Sequence, residues 1–132
     1  MKLKRRKKFF KKDIIALFDR WNVSLRTKDP DKVITNYARN SILLPTLSNK
    51  PRITFAEKRN YFKTFLVNKP SAKINYRKIE IGYDTAVDSG IYTFTFARTK
   101  AVVKARYTFT YRLIKDKWLI TSHHSSRMPE DN

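Results

Sequence analysis

The sequence predicts an α+β domain in which helices come first and a long, mostly antiparallel sheet follows. Apolar residues recur with helical period through the first half, and after Pro70 the period changes to two. The two-residue alternation also changes parity once, which marks a bulge and hence a bend. A bent sheet with helices on one face makes a cone with a hollow end.

Asp13 is positioned to cap the first helix. Ile14, Leu17, Phe18, Trp21 and Leu25 then fall on one face, which must lie on a core. Asp29 suits an N-cap and Pro30 the first position of a second, short helix, whose buried side is Val33, Ile34 and Tyr37. Residues 41–46 (SILLPT) read as an edge strand ending at proline. Thr54 and Glu57 form a capping box, and the helix they open presents Tyr61, Phe62, Phe65 and Leu66 before Asn68-Lys69-Pro70 stops it. Ala72, Ile74 and Tyr76 alternate, then Ile79, Ile81 and Tyr83 in the other parity, placing a bulge near Arg77-Lys78. Residues 91–96 and 107–111 are β-rich, Lys115-Asp116 fits a hairpin tip, and Trp118 to Ser125 returns as the last strand.

With 132 residues the chain holds one core. It has no cysteine, so thiol catalysis, disulfides and Cys-ligated zinc are out. Two glycines and no GxxxxGK[ST] or GxGxxG exclude the common nucleotide loops. No apolar run is long enough to span a bilayer, and Ile14 to Phe18 is too short for a secretion signal, so a cytoplasmic protein is expected.

The net charge is +19, and eight of the 30 cations stand in the first twelve residues. This divides the chain into a basic tail, 1–12, expected to be disordered or held by a partner, and a domain, 13–130. The tail's cations, Lys2, Lys4, Arg5, Arg6, Lys7, Lys8, Lys11 and Lys12, suit an acidic partner such as nucleic acid or an anionic membrane surface. His123 and His124 are strand neighbours and point apart, so they cannot chelate one metal, and no metal or cofactor is expected. Glu57 is accounted for by its capping box and Asp88 by a turn or bulge. Phe94, Phe96, Tyr107, Phe109 and Tyr111 recur with period two, a pattern of core or interface; the family resemblance given below implies that they lie on the outer sheet face, buried against a second copy, with Arg106 and Arg112 among them. Base stacking on an RNA-type sheet is the alternative for these rings.

Several stretches carry a resemblance to a known family: residues 17–22 (LFDRWN), 43–49 (LLPTLSN), 90–96 (GIYTFTF), 105–109 (ARYTF) and 118–130 (WLITSHHSSRMPE). Together they resemble the nuclear-transport-factor-two-like (cystatin-cone) superfamily. Within it, the SnoaL-like group is similar to the association (hub) domain of calcium/calmodulin-dependent protein kinase type two and to SgcJ/EcaC-family bacterial proteins. The resemblance implies a strongly curved sheet wrapped around a long N-terminal helix, with a pocket at the cone's open end. It also implies sheet-mediated assembly into dimers or rings. The hub pocket binds small carboxylates through arginines, and those positions fall here on Tyr92, Phe109 and Ser125. Pocket-lining candidates are therefore Tyr92, Phe109, Tyr111, His123 and Ser125, with a more apolar and aromatic lining. The expected function is a non-catalytic oligomerising module that holds a small ligand. The alternatives are a SnoaL-like isomerase, cyclase or dehydratase acting on a hydrophobic ketone, or a basic scaffold subunit that binds nucleic acid.

Overall fold

The structure, a computed structural model, describes residues 7–129. Helix α1 (Lys11–Arg26) and short α2 (Pro30–Ile34) precede strand β1 (Tyr37–Leu44). Helix α3 (Phe55–Phe65) ends in a 3₁₀ turn (Leu66–Asn68), and four long strands follow: β2 (Pro70–Ile81), β3 (Thr85–Phe96), β4 (Ala101–Ile114) and β5 (Lys117–Arg127). The sheet order is β1-β5-β4-β3-β2. All neighbours are antiparallel except β1 and β5, which run parallel and bring Leu43 beside His123.

Helix α1 begins earlier than the sequence suggests. Phe10 is its N-cap, and Asp13 stands at the third position, where its carboxylate accepts the Phe10 N–H at 2.7 Å. Phe9 packs its ring edge-on to Trp118, with centroids 5.2 Å apart. The segment read as tail thus joins the folded body by Phe9; Lys2, Lys4, Arg5 and Arg6 lie outside the described residues, while Lys7, Lys8, Lys11 and Lys12 are exposed. The capping box at Thr54 forms with both halves present. Lys115 and Asp116 both take positive φ, 50° and 65°, as the tight two-residue β4–β5 hairpin requires. Tyr37 starts β1 instead of closing α2.

The bulge exists but sits two residues earlier than expected. Ile74 pairs with Tyr92 and Tyr76 with Ile91, which leaves Asn75 as the extra residue. Beyond it Arg77 and Ile79 face inward, and the strand folds close over Gly90. A Cβ on Gly90 would lie 1.9 Å from the Tyr76 carbonyl oxygen, so only glycine permits this approach.

The aromatic strands face the other way from the expectation. Phe94, Tyr107, Phe109 and Tyr111 are buried, and Phe96 partly so, on the inner face against α1 and α3. Phe18 and Trp21 of α1 meet Phe109 with centroids 6.1 and 5.4 Å apart. The cause is the apolar stripe of α1, which can be buried only against the apolar parity of the sheet. Arg106 and Arg112 stand among the outward residues of β4, with Lys104, and are exposed. No stacking platform for bases is left on that face by these rings. Asp88 is likewise not in a turn: it lies inside β3, fully buried.

Replacing Gly90 with alanine is expected to cost about 2–4 kcal/mol by forcing β2 away from β3. Urea unfolding checks this; an unchanged midpoint contradicts the close approach.

Candidate functional site

A cavity of about 590 Å³ opens at the end of the sheet where β3 turns into β4. Its inner end is made by Trp21, Tyr92, His123 and Ser125. One wall is the aromatic face of α3, Tyr61, Phe62 and Phe65, and the opposite wall is Phe94, Phe96, Val103 and Ala105. The loop after β1 gives the rim: Thr46, Leu47, Lys50 and Arg52. Arg52 is tied back, donating to the Lys50 carbonyl and to Ser48, and it lies over the Tyr61 ring at 5.3 Å.

A directed chain of hydrogen bonds crosses the inner end. The Trp21 indole N–H can only donate, and it does so to the Tyr37 hydroxyl at 3.1 Å. Tyr37 spends its own proton on His123 Nδ1, at 2.8 Å. The proton of the neutral ring is then on Nε2, which faces the Tyr92 oxygen at 3.3 Å. Tyr92 in turn donates to Ser125 Oγ at 2.6 Å, and Ser125 meets Thr46 Oγ1 at 2.6 Å on the rim. Stacking of His123 on Phe109, centroids 4.0 Å apart, fixes the ring plane. Burial, with the neighbouring His124 adding to it, lowers the His123 pKa from 6.5 to about 3, so the ring stays neutral at physiological pH. Burial also raises Tyr92 and Tyr37 well above the ordinary phenol value, and Tyr61 to about 12.

Of the sequence candidates, Tyr92, His123 and Ser125 come together at the cavity. Phe109 lies behind His123 as its stacking partner, and Tyr111, fully buried, is away from the cavity wall. The family resemblance named all five as lining, but α1 covers the sheet's middle and leaves only one end open. Trp21, Tyr37 and Thr46 were not expected to belong to the site. Trp21 and Tyr37 carried the ordinary core signal, and Thr46 carried none. The α3 aromatics were legible as a buried helix face, and that face forms the cavity's wall.

Neither candidate carboxylate is available for proton transfer. Asp88 is held by Arg77 at 2.8 Å and by the Tyr107 hydroxyl at 2.8 Å, under α1 and outside the cavity lining. Glu57 reaches the rim, but its oxygen accepts the Thr54 and Ile53 N–H groups, and those backbone bonds lower its pKa. Among the described residues, no group of three or more His, Cys, Asp and Glu is placed to hold a metal ion.

The geometry defines a cystatin-like, NTF2-like cone with an apolar cavity. A family profile described as the calcium/calmodulin dependent protein kinase II association domain matches residues 10–129, and the chain belongs to that family. A solved structure from Xanthomonas campestris, described provisionally as such an association domain, is 46% identical, covers 94% of this chain and 91% of its own, and superposes with a TM-score of 0.89. A protein of unknown function with a cystatin-like fold from Nostoc punctiforme shares 19% identity over 91% and 92% of the two chains, with a TM-score of 0.77. A protein from Streptomyces avermitilis described provisionally as an NTF2-like dehydratase is 11% identical over 89% and 95%, with a TM-score of 0.80; it shares the fold. No curated protein matches the chain.

The neutral histidine gives a pH dependence with a definite sign. Unfolded, His123 takes a proton near pH 6.5; folded, it does not until about pH 3. Stability is therefore full above pH 6.5 and falls as the pH drops through that window. Between pH 7 and pH 5 the loss from this residue is about 2 kcal/mol. Chemical denaturation at the two pH values measures it, and the same comparison on His123→Gln is expected to lack that loss. Equal losses in both proteins contradict the assignment.

Proposed function

We propose that the chain is a non-catalytic, self-associating binding module whose cone cavity holds a small ligand with an apolar, ring-bearing body and a hydrogen-bond acceptor. The observation that carries this is the cavity itself: aromatic walls, a polar line, His123–Tyr92–Ser125–Thr46, running from the inner end to the rim, and further polar side chains, Lys50, Arg52, Glu57, Asn60, Thr64 and Asn68, in the lining. Apolar walls with a few placed polar groups are what small-molecule sites have in common. The non-catalytic reading is supported by the proton inventory. The histidine is too weak a base, the tyrosines too weak as acids, and both carboxylates are committed elsewhere. When Ser125 passes its proton to Thr46, the Thr46 hydroxyl is left to donate outward, which selects an acceptor on the ligand.

The cavity is tested with the fluorescent probe 1-anilinonaphthalene-8-sulfonate, which has rings and an acceptor end. Saturable fluorescence enhancement is expected, weakened at least tenfold by Val103→Trp, which fills the space, and several-fold by Ser125→Ala. Enhancement indifferent to Val103→Trp contradicts a cavity site. Catalysis is tested with cyclohexanone in heavy water, where exchange of α-protons faster than in buffer would overturn the non-catalytic reading.

Membership of the association-domain family supports self-assembly, and the outer sheet face is the surface through which we place it. Two copies meeting there face to face bring Lys104, Arg106 and Arg112 toward their own counterparts. Like charges repel, so moderate salt is expected to tighten the association. Light scattering across salt concentrations is expected to give a dimer or larger species, and Thr108→Arg a monomer. A wild-type monomer at all salts contradicts it.

A further inference from the structure

The geometry points to a second binding surface, at the pole of the cone opposite the cavity: a docking face for an anionic lipid bilayer. It stands independently of what fills the cavity. The cavity is lined by Val103 and Ala105 at one end of β4, and this pole is built around Leu113 at the other, roughly 25–30 Å away along the strand. Three segments meet there. The residues before α1 dock through Phe9 on Trp118, which pairs with Leu113. The β2–β3 turn joins through the bond from the Leu113 N–H to the Asp84 carbonyl. The β4–β5 turn contributes Lys115 and Lys117.

Cations and exposed apolar side chains coincide on this pole. Lys7, Lys8, Lys11, Lys12, Lys115 and Lys117 are exposed, against Asp13, Asp84 and Asp116. Asp13 is already engaged by the Phe10 N–H. Beside them stand Phe10 at 50% exposure, Tyr83 at 79%, Ile15 at 37% and Ile114 at 36%. A surface of this make-up gains from both halves of a bilayer interface, the anionic headgroups and the acyl boundary beneath them. It suits nucleic acid less well. Lys8 and Lys12 hold their ammonium groups over the Phe10 ring, at 5.4 and 5.9 Å from its centre, so the ring face that would stack on a base is occupied. Two turns and a helix start make a blunt end, not a groove that tracks a phosphate chain.

The full chain is tested by co-sedimentation with vesicles of phosphatidylcholine alone and of phosphatidylcholine with phosphatidylglycerol. Binding is expected to the mixed vesicles only, and to be lost at high salt. Lys8→Gln with Lys12→Gln is expected to lower the partition coefficient by roughly five-fold per lysine. Both residues are exposed, so the fold is not at risk. Phe10→Trp reports depth: its fluorescence is expected to be quenched by brominated acyl chains in the mixed vesicles, beyond the signal of the native tryptophans. Absence of binding to mixed vesicles at low salt overturns the proposal. So does equal binding to neutral vesicles, or binding without Phe10→Trp quenching. Retention of a DNA or RNA oligonucleotide that is stronger than retention of the mixed vesicles, and indifferent to Phe10→Ala, reassigns the pole to nucleic acid and overturns it as well.

Discussion

The arrangement depends on a histidine buried at the inner end of the cavity. A buried imidazole must find partners for both nitrogens without becoming charged. His123 finds Tyr37 on one side and Tyr92 on the other, and these are in turn satisfied by Trp21 and Ser125. The chain of bonds ties α1 to β1, β1 to β5, β5 to β3, and finally the rim loop through Thr46. Loss of any member leaves a buried polar group unpaired, at about 1–3 kcal/mol. The same bonds that hold the cone's elements in place therefore determine which polar groups the cavity offers.

The two ends of the cone are built from different physics. At the open end the polar groups are neutral and bonded in series. Under α1 the polar contact is ionic: Asp88, fully buried, with Arg77 and Tyr107. Breaking that pair would leave a buried charge, so its members act as a unit. The Tyr111 hydroxyl and the Trp118 indole N–H are buried with no hydrogen-bond partner among the described residues, and burial keeps the Tyr111 phenol far above its ordinary value.

Much of the fold was legible because its signals are local. The capping box at Thr54, the Asp29-Pro30 start and the parity slip in β2 each depend on a few adjacent residues, and each is found in the structure within two positions. The orientation of the rings was harder. Phe94, Tyr107 and Phe109 alternate with polar residues in either reading, and what decides is the stripe Ile14, Leu17, Phe18 and Trp21, which needs an apolar partner within the chain. Lys104, Arg106 and Arg112 alternate with those rings along β4 and so take the opposite, outer face. The site was half visible: the family resemblance singled out Tyr92, His123 and Ser125, but Tyr37 and Thr46 join them only through the parallel pairing of β1 with β5, a contact between residues about 80 positions apart. The buried role of Asp88 was hidden the same way, since Arg77 reaches it only because the bulge turns that residue inward.

The central claim is that His123 is a neutral, Nε2-protonated donor locked between two tyrosines. Nitrogen NMR of the labelled imidazole, followed from pH 7 to pH 4, tests it directly. The account predicts one fixed neutral tautomer, with the proton on Nε2 and the signal unmoved across the range. A ring that titrates near pH 6.5, or that carries its neutral proton on Nδ1, would contradict it.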